Sequence, residues 1–303
     1  MLALALLASG CLSEATTHYN AGLDLHNQER LEEAIAEYDQ AIRLNPQFAE
    51  AYNNRGNAFL DLRQYQQAIQ DYNEALRLNP QGADAYTNRG SAFDNLGQHQ
   101  RAIQDHDEAI RLNPKYALPY ANRGNAYDNL GQPQRALQDY DEAIRLNPPA
   151  SELAFACRNR GVVYTKLGQH RRAIQDLDEA IRLNPQYAAA YNDRGSAFDD
   201  LGQHQRAIQD YDEVIRLNSK DAVAYYNRGN AYRHLGQRQR AIQDYDEAIR
   251  LNPKLAEAYA NRALAYTVLG KDAEARQDVD RALELGIDRA LLEQLIQEVK
   301  RLR

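Results

Sequence analysis

The chain repeats itself at a fixed interval. The string Asn-Arg-Gly begins at Asn54, Asn88, Asn122, Asn159 and Asn227, returns as Asn-Arg-Ala at Asn261, and reads Asp-Arg-Gly at Asp193. Successive starts lie 34 residues apart, except for 37 between Asn122 and Asn159. A second string, close to Ala-Ile-Gln-Asp-Tyr-Asp-Glu-Ala-Ile-Arg-Leu-Asn-Pro, follows each one. Asn20 marks a diverged first copy, so eight copies begin at Ala15, Ala49, Ala83, Ala117, Ala154, Ala188, Ala222 and Ala256. This period overrides the two-domain expectation that 303 residues would suggest. One unit of this size cannot bury its apolar face alone, so neighbours must stack into a continuous core.

Each copy reads as two helices. In the second copy the first helix is predicted over residues 49–62, with Tyr52, Phe59 and Leu62 at helical spacing. A break follows, occupied in later copies by Gly97, Gly131, Gly168, Gly202, Gly236 and Gly270, where a glycine allows one helix to fold back on the next. The second helix is predicted over residues 65–78, with Ala68, Ile69, Tyr72, Ala75 and Leu76 as its stripe. It stops at Asn79-Pro80: Asn is expected to take the left-handed conformation of a helix end, and Pro cannot continue the helix. In the last copy Gly286 stands in place of that Asn.

This pattern resembles the tetratricopeptide repeat, a 34-residue helix-turn-helix unit with Gly in its first helix, Ala twice in its second and Pro at its end. In the third copy these are Gly90, Ala102, Ala109 and Pro114, with Tyr86 where the family often has Trp. The match covers about residues 15–289. Departures are local: Ala263 replaces Gly, Val214 replaces Ala, and Ser219 and Ile287 replace Pro. The resemblance implies an all-α, right-handed superhelical solenoid of eight helix pairs. Residues 290–303 are expected as a capping helix, with Leu291, Leu292, Leu295, Ile296, Val299 and Leu302 on one stripe. Residues 151–153 are a three-residue insertion after Pro148-Pro149, read either as a change of pitch between two four-copy halves or as a simple loop insertion.

Residues 1–14 read as a leader and short linker. The apolar run Met1 to Leu7, then Ala8-Ser9-Gly10-Cys11, resembles the end of a bacterial lipoprotein signal. That resemblance implies cleavage before Cys11 and lipidation of its thiol. Leu12 after the cysteine favours an outer-membrane destination by the same analogy. No run of 18 apolar residues offers a membrane-spanning helix.

Composition excludes other classes. With Lys plus Arg 36 against Asp plus Glu 43, the net charge of −7 lacks the cationic footprint of a general nucleic-acid binder. Two cysteines, Cys11 and Cys157, exclude a disulfide scaffold, and Cys157 stands where other copies carry Tyr, so it is read as a core residue. His99, His170 and His204 share one repeat position, too far apart, at about one helix-packing distance of ~8–10 Å, to ligate one ion. No metal motif, phosphate loop or nucleophile elbow occurs, so no catalytic residue, metal or cofactor is expected.

Two columns carry the functional reading. Arg55, Arg89, Arg123, Arg160, Arg194, Arg228 and Arg262 recur with Asp71, Asp105, Asp139, Asp176, Asp210, Asp244 and Asp278, and the first copy has Ala21 and Glu37 instead. Bidentate salt bridges between helices, within a copy or to its neighbour, are expected. The second column is Asn20, Asn54, Asn88, Asn122, Asn159, Asn227 and Asn261, broken by Asp193. In the family the first helices line the concave groove, and this column resembles the asparagine ladder of the superhelix of O-linked N-acetylglucosamine transferase. A primary amide both donates and accepts, matching a peptide group without reading its side chain. The other reading is that these amides bond neighbouring helices. Asn57, Asn125 and Asn230 lie one turn further, with Asp94 and Asp128 beyond, as candidate groove contacts. The sequence therefore points to a non-catalytic scaffold that binds a protein or peptide segment and is anchored in a bacterial envelope. The alternatives are a cytoplasmic assembly adaptor and an accessory subunit that presents substrate to a partner enzyme.

Overall fold

The computed structural model describes residues 2–302, with side chains from residue 13 onward. Its described residues form 17 helices and no strand. The first helices of the eight copies are α1 (Leu2–Asn27), α3 (Ala49–Asp61), α5 (Ala83–Asn95), α7 (Ala117–Asn129), α9 (Ala150–Lys166), α11 (Ala188–Asp200), α13 (Ala222–His234) and α15 (Ala256–Val268). The second helices are α2 (Leu31–Leu44), α4 (Tyr65–Leu78), α6 (His99–Leu112), α8 (Pro133–Arg145), α10 (His170–Leu183), α12 (His204–Leu217), α14 (Arg238–Leu251) and α16 (Asp272–Glu284), and α17 (Arg289–Leu302) follows. Two compact units result, residues 1–156 and 157–303. Within each, first helices pack on their own second helices, as α3 on α4 and α11 on α12, and those pack on the next first helix, as α4 on α5 and α12 on α13.

Small side chains set the packing. Most fully buried residues are alanines such as Ala68, Ala75, Ala92, Ala102 and Ala109, interleaved with a buried ring at one second-helix position in six of the eight repeats, for instance Tyr72 and Tyr140. The ring explains the glycine of each first helix. A Cβ on Gly124 would lie 2.9 Å from Tyr140 Cε1, and one on Gly56 would lie 2.7 Å from the same atom of Tyr72. The pairing holds under substitution. The fifth copy sets Gly161 against Leu177. The eighth, with Ala263 in place of Gly, has the smaller Val279 at the ring position, in the same cluster.

Turn chemistry differs from the sequence expectation in one respect. The glycines between paired helices do adopt left-handed backbone, φ 69–74° from Gly97 to Gly270. The asparagines that end the second helices divide: Asn147 is left-handed at φ 50°, and the others are not. Asn79 and Asn113 have φ −131° and −138°. Each turns its side chain into a local brace instead: Oδ1 of Asn79 accepts from the backbone N–H of Gln81 at 3.1 Å, and Asn113 does the same for Lys115 at 3.2 Å. At these positions the Asx turn, rather than αL tolerance, is the reason for Asn. The insertion after Pro149 also differs from a loop, since it is helical. α9 runs for 17 residues where the other first helices from α3 onward run for 13.

The last helix uses only part of its stripe. Leu292 and Ile296 are buried with Ala263 and Ala282, while Leu291, Leu295 and Leu302 are exposed. The lipidation expectation at Cys11 falls on a side chain outside the described residues. Among the described residues, no helix is long and apolar enough to cross a membrane.

The glycine–ring contact yields a direct test. Gly124→Ala is expected to destabilise the protein by ~1–3 kcal/mol through overpacking. Tyr140→Val should cost less in the G124A background than in the wild type, with a coupling energy above about 1 kcal/mol in urea denaturation. Additive effects would show that the contact does not set the helix approach.

Candidate functional site

The first helices are held in rotation by a guanidinium fork. Arg123 Nε and Nη2 donate to the two carboxylate oxygens of Asp139 at 2.8 and 2.6 Å, and Nη1 reaches Asp107 of the preceding repeat at 2.5 Å. The bidentate half recurs at Arg55, Arg89, Arg160, Arg194, Arg228 and Arg262. The reach backwards recurs from Arg55 to Asp39, Arg89 to Asn73, Arg194 to Asp178, Arg228 to Asp212 and Arg262 to Asp246. The expected salt bridge is thus both of its alternatives at once. The second Asp column was readable in the recurring Asp-Tyr-Asp triplet, but only its first member was singled out. Burial opposes the charge of Arg123, yet its bonds to Asp139 and Asp107 outweigh burial and raise its pKa above the usual guanidinium range. Where the first copy lacks this arginine, Glu37 pairs with His18 at 2.6 Å.

With the fork fixing rotation, the asparagine column faces the preceding first helix. Asn54 Nδ2 donates to the Tyr19 hydroxyl at 2.7 Å. Asn88 donates to Oδ1 of Asn57 at 2.9 Å and of Asn53 at 3.4 Å. Asn122 donates to Ser91 at 3.1 Å. In the second unit Asn227 donates to Asn192 at 3.0 Å, and Asn261 to Asn230 at 2.9 Å and Tyr226 at 3.1 Å. Asn20 is exposed, while Asn159 is buried and its Nδ2 has no hydrogen-bond partner. The break at Asp193 has a cause: Arg158, one repeat earlier, donates to it at 2.7 Å, so acid and base are exchanged together for two neutral residues. The amides therefore do bond neighbouring helices. Among the described residues, however, no side chain donates to Oδ1 of Asn88, Asn122, Asn227 or Asn261. A cleft of about 310 Å³ opens beside this column in the first unit, lined by Tyr19, Glu50, Asn53, Asn54 and Asp84.

One turn further, the second column is tied to the core. Tyr72, Tyr140 and Tyr245 send their hydroxyls to Oδ1 of Asn57, Asn125 and Asn230 at 2.8, 2.6 and 2.8 Å. Each of these three rings thus anchors a polar residue of the face, whereas the Tyr38 hydroxyl is buried without a hydrogen bond. The third repeat also breaks this chain. His106 stands in place of the tyrosine and Ser91 in place of the asparagine, and both ring nitrogens of His106 are buried without a hydrogen bond.

The acids beyond are engaged rather than bare. Asp94 pairs with His99, Asp61 with His26 at 2.8 Å, and Asp199 with His204 at 2.5 Å. Asp128 is half-buried at the matching position. The structure does bring His234 to His204, ring centroids 4.7 Å apart, with Asp199 beside both. That juxtaposition joins two different repeat positions on adjacent copies, and inspection of one column at a time does not reveal it. Cys157 is buried, and burial pushes its thiol up to about 11, so it is not poised as a nucleophile.

Family models described as "Tetratricopeptide repeat" match residues 49–81, 83–116, 117–148 and 222–255, 158–222, and 244–277, and one described as "TPR repeat" matches residues 22–62. Comparison with curated proteins gives no match. Among solved structures, a chain of the APC/C hetero-tetramer Cut9–Hcn1 superposes with TM-score 0.70 at 17% identity over 89% of this chain, which spans only 52% of that one. YrrB, described as "a TPR protein with an unusual peptide-binding site", gives TM-score 0.51 at 25% identity, covering 63% of this chain and 96% of its own. A tetratricopeptide repeat protein from Parabacteroides merdae gives 0.59 at 22%, covering 83% and 98%.

The unpartnered imidazole gives a pH prediction. Burial, and then the nearby charge of Arg123, lower the pKa of His106 to about 3, below its ordinary 6.5. The unfolded chain therefore binds the extra proton first as pH falls. Stability from this site is complete above about pH 6.5 and declines below it by at most about 1.4 kcal/mol per pH unit, down to about pH 3. His106→Tyr, which copies the Tyr211 and Ser196 pair of the sixth repeat, should remove that share of the decline. Urea unfolding of both proteins at pH 7 and pH 5 measures it, and equal pH slopes would contradict the assignment.

Proposed function

The chain belongs to the tetratricopeptide repeat family, and on that premise we propose that it is a non-catalytic protein-interaction scaffold whose first-helix face holds an extended peptide. The observation that carries this reading is the asparagine column with its carbonyl oxygens left over. Nδ2 of Asn88 and Asn122 in one unit, and of Asn227 and Asn261 in the other, donates to the preceding repeat, which fixes the amide plane and leaves Oδ1 as a pre-oriented acceptor. A ligand for such a row must bring donors, and the backbone N–H of a peptide is the donor that recurs regardless of sequence.

The spacing selects a conformation. Successive first helices stand about one helix-packing distance apart, ~8–10 Å. A polyproline-II segment advances ~3.1 Å per residue with three residues per turn, so every third N–H returns to the same side after ~9 Å. A flat β-strand alternates sides every residue and meets such a row less well. The segment needs a non-proline residue at each third position, since proline has no N–H. The peptide-binding site described for YrrB supports peptide recognition on this fold.

We further propose that the scaffold is tethered through lipidated Cys11 in a bacterial envelope, on the strength of the Ala8-Ser9-Gly10-Cys11 run. Intact-mass analysis with membrane fractionation should find a diacylated Cys11 at the mature N-terminus. An unprocessed chain in the soluble fraction would end this part of the reading and leave the groove untouched.

The groove is tested by capture on a peptide array, followed by solution titration of the best binder. Asn88→Ala with Asn122→Ala should weaken that peptide by about 5- to 100-fold, from two bonds worth ~0.5–1.5 kcal/mol each. The thermal midpoint of the variant separates lost contacts from lost folding. Undiminished affinity in a folded variant would place the binding surface elsewhere.

A further inference from the structure

At the junction of the sixth and seventh repeats three helix ends converge. Asp199 lies in the last turn of α11, His204 opens α12 and His234 closes α13. Asp199 Oδ1 is 2.5 Å from His204 Nδ1, and its Oδ2 is 3.4 Å from His234 Nδ1. One ligand atom from each of the three lies within 4.8 Å of the other two. We propose that these residues form a binding site for a divalent transition-metal cation of the zinc class.

The donor set and the geometry agree on that class. Tetrahedral zinc, with bonds of ~2.0–2.1 Å, holds its ligand atoms about 3.3 Å apart, which small side-chain rotations here supply. Two imidazoles and one carboxylate suit zinc, nickel or copper, whereas calcium and magnesium ask for oxygen donors throughout. The side chains of Asp199 and His204 are 17% and 21% exposed and that of His234 is 36% exposed, so the ion is walled on one side and keeps a water-filled fourth position on the other. All three ligands start from helix termini, so the backbone is ordered before any ion arrives, and binding staples one repeat to the next.

The empty site is held by charge instead. An arginine can only donate, so the 2.9 Å contact of Arg233 Nη2 with His234 Nε2 places the His234 proton on Nδ1, facing Asp199. Ligation through Nδ1 displaces that proton, moves the ring to its other tautomer and turns Arg233 away. The third repeat carries the matching Asp94 and His99 pair, but Asn129 stands where His234 does, so only two of the three ligands are present.

Untagged full-length protein stripped with chelator is titrated with zinc chloride by calorimetry, and its melting is followed with and without zinc. One saturable equivalent and a zinc-dependent rise in Tm are expected. His204→Gln and His234→Gln should each weaken binding by about tenfold or more and abolish the rise, because even outer-sphere changes cost ~10–100-fold. His99→Gln should leave both unchanged. Arg233→Leu, which removes the competing donor and its positive charge, should tighten binding. Absence of a saturable equivalent, or binding retained in both folded histidine variants, overturns the site. His234→Gln lies at an exposed helix end and keeps the test open if His204→Gln fails to fold.

Discussion

Everything polar on the first-helix face takes its orientation from the fork of the recurring arginine. Its guanidinium grips the second helix of its own repeat with two parallel bonds, and in six repeats the third nitrogen reaches the second helix of the repeat before. A planar group with donors on both edges fixes an angle as well as a distance. The group is only about 19% exposed and its partner Asp139 about 8%, so charge is held where removal of one partner would strand the other. Such a pair adds little net stability over well-packed apolar residues of equal volume. What it supplies is one rotation of each helix about its axis. A turn of one residue, ~100°, would carry the asparagine off the face altogether.

The alanine-rich core and the polar face are two consequences of close helix approach. A glycine against a ring lets the paired helices come near enough for alanines to fill the remaining space. At that distance the first helices of successive repeats stand close enough for Asn122 to reach Ser91 and for Asn88 to reach Asn57. The ring itself then contributes a hydroxyl to the same layer, as Tyr72 does to Asn57. That face is therefore not a set of free side chains. It is a hydrogen-bonded layer in which Asn88, Asn122, Asn227 and Asn261 donate to the preceding repeat and keep Oδ1 unclaimed.

Much of this was legible in the sequence because a repeat reports each contact many times. The period fixed the helix pairs, the Gly column marked the turns, and the Arg and Asp columns announced the bridge. Other features escaped because they depend on two columns at once. Arg158 and Asp193 stand in different columns, and only their 2.7 Å contact joins them. His234 likewise lies in a different column from His204, and only α13 brings the two rings together. Of the asparagines at the ends of the second helices, Asn147 takes the left-handed backbone while Asn79 and Asn113 close Asx turns, and composition alone does not separate the two.

Those exceptions answer a difficulty that near-identical repeats create. Where every repeat offers the same fork, ladder and ring, a stack shifted by 34 residues satisfies almost the same contacts, and repeat chains are prone to such misassembly. The common columns cannot penalise the shift. Private pairs can. His18 with Glu37, Arg158 with Asp193, His204 and His234 with Asp199, and Ala263 with Val279 each fit at one place only. Moved by one repeat, Arg158 meets no acid on the ladder, Asp193 meets a neutral amide, and Ala263 would face Tyr245, whose ring already crowds Gly229. A half-buried charge left without its partner costs far more than a surface pair contributes. The departures from the repeat thus carry the register that the repeat itself leaves undetermined.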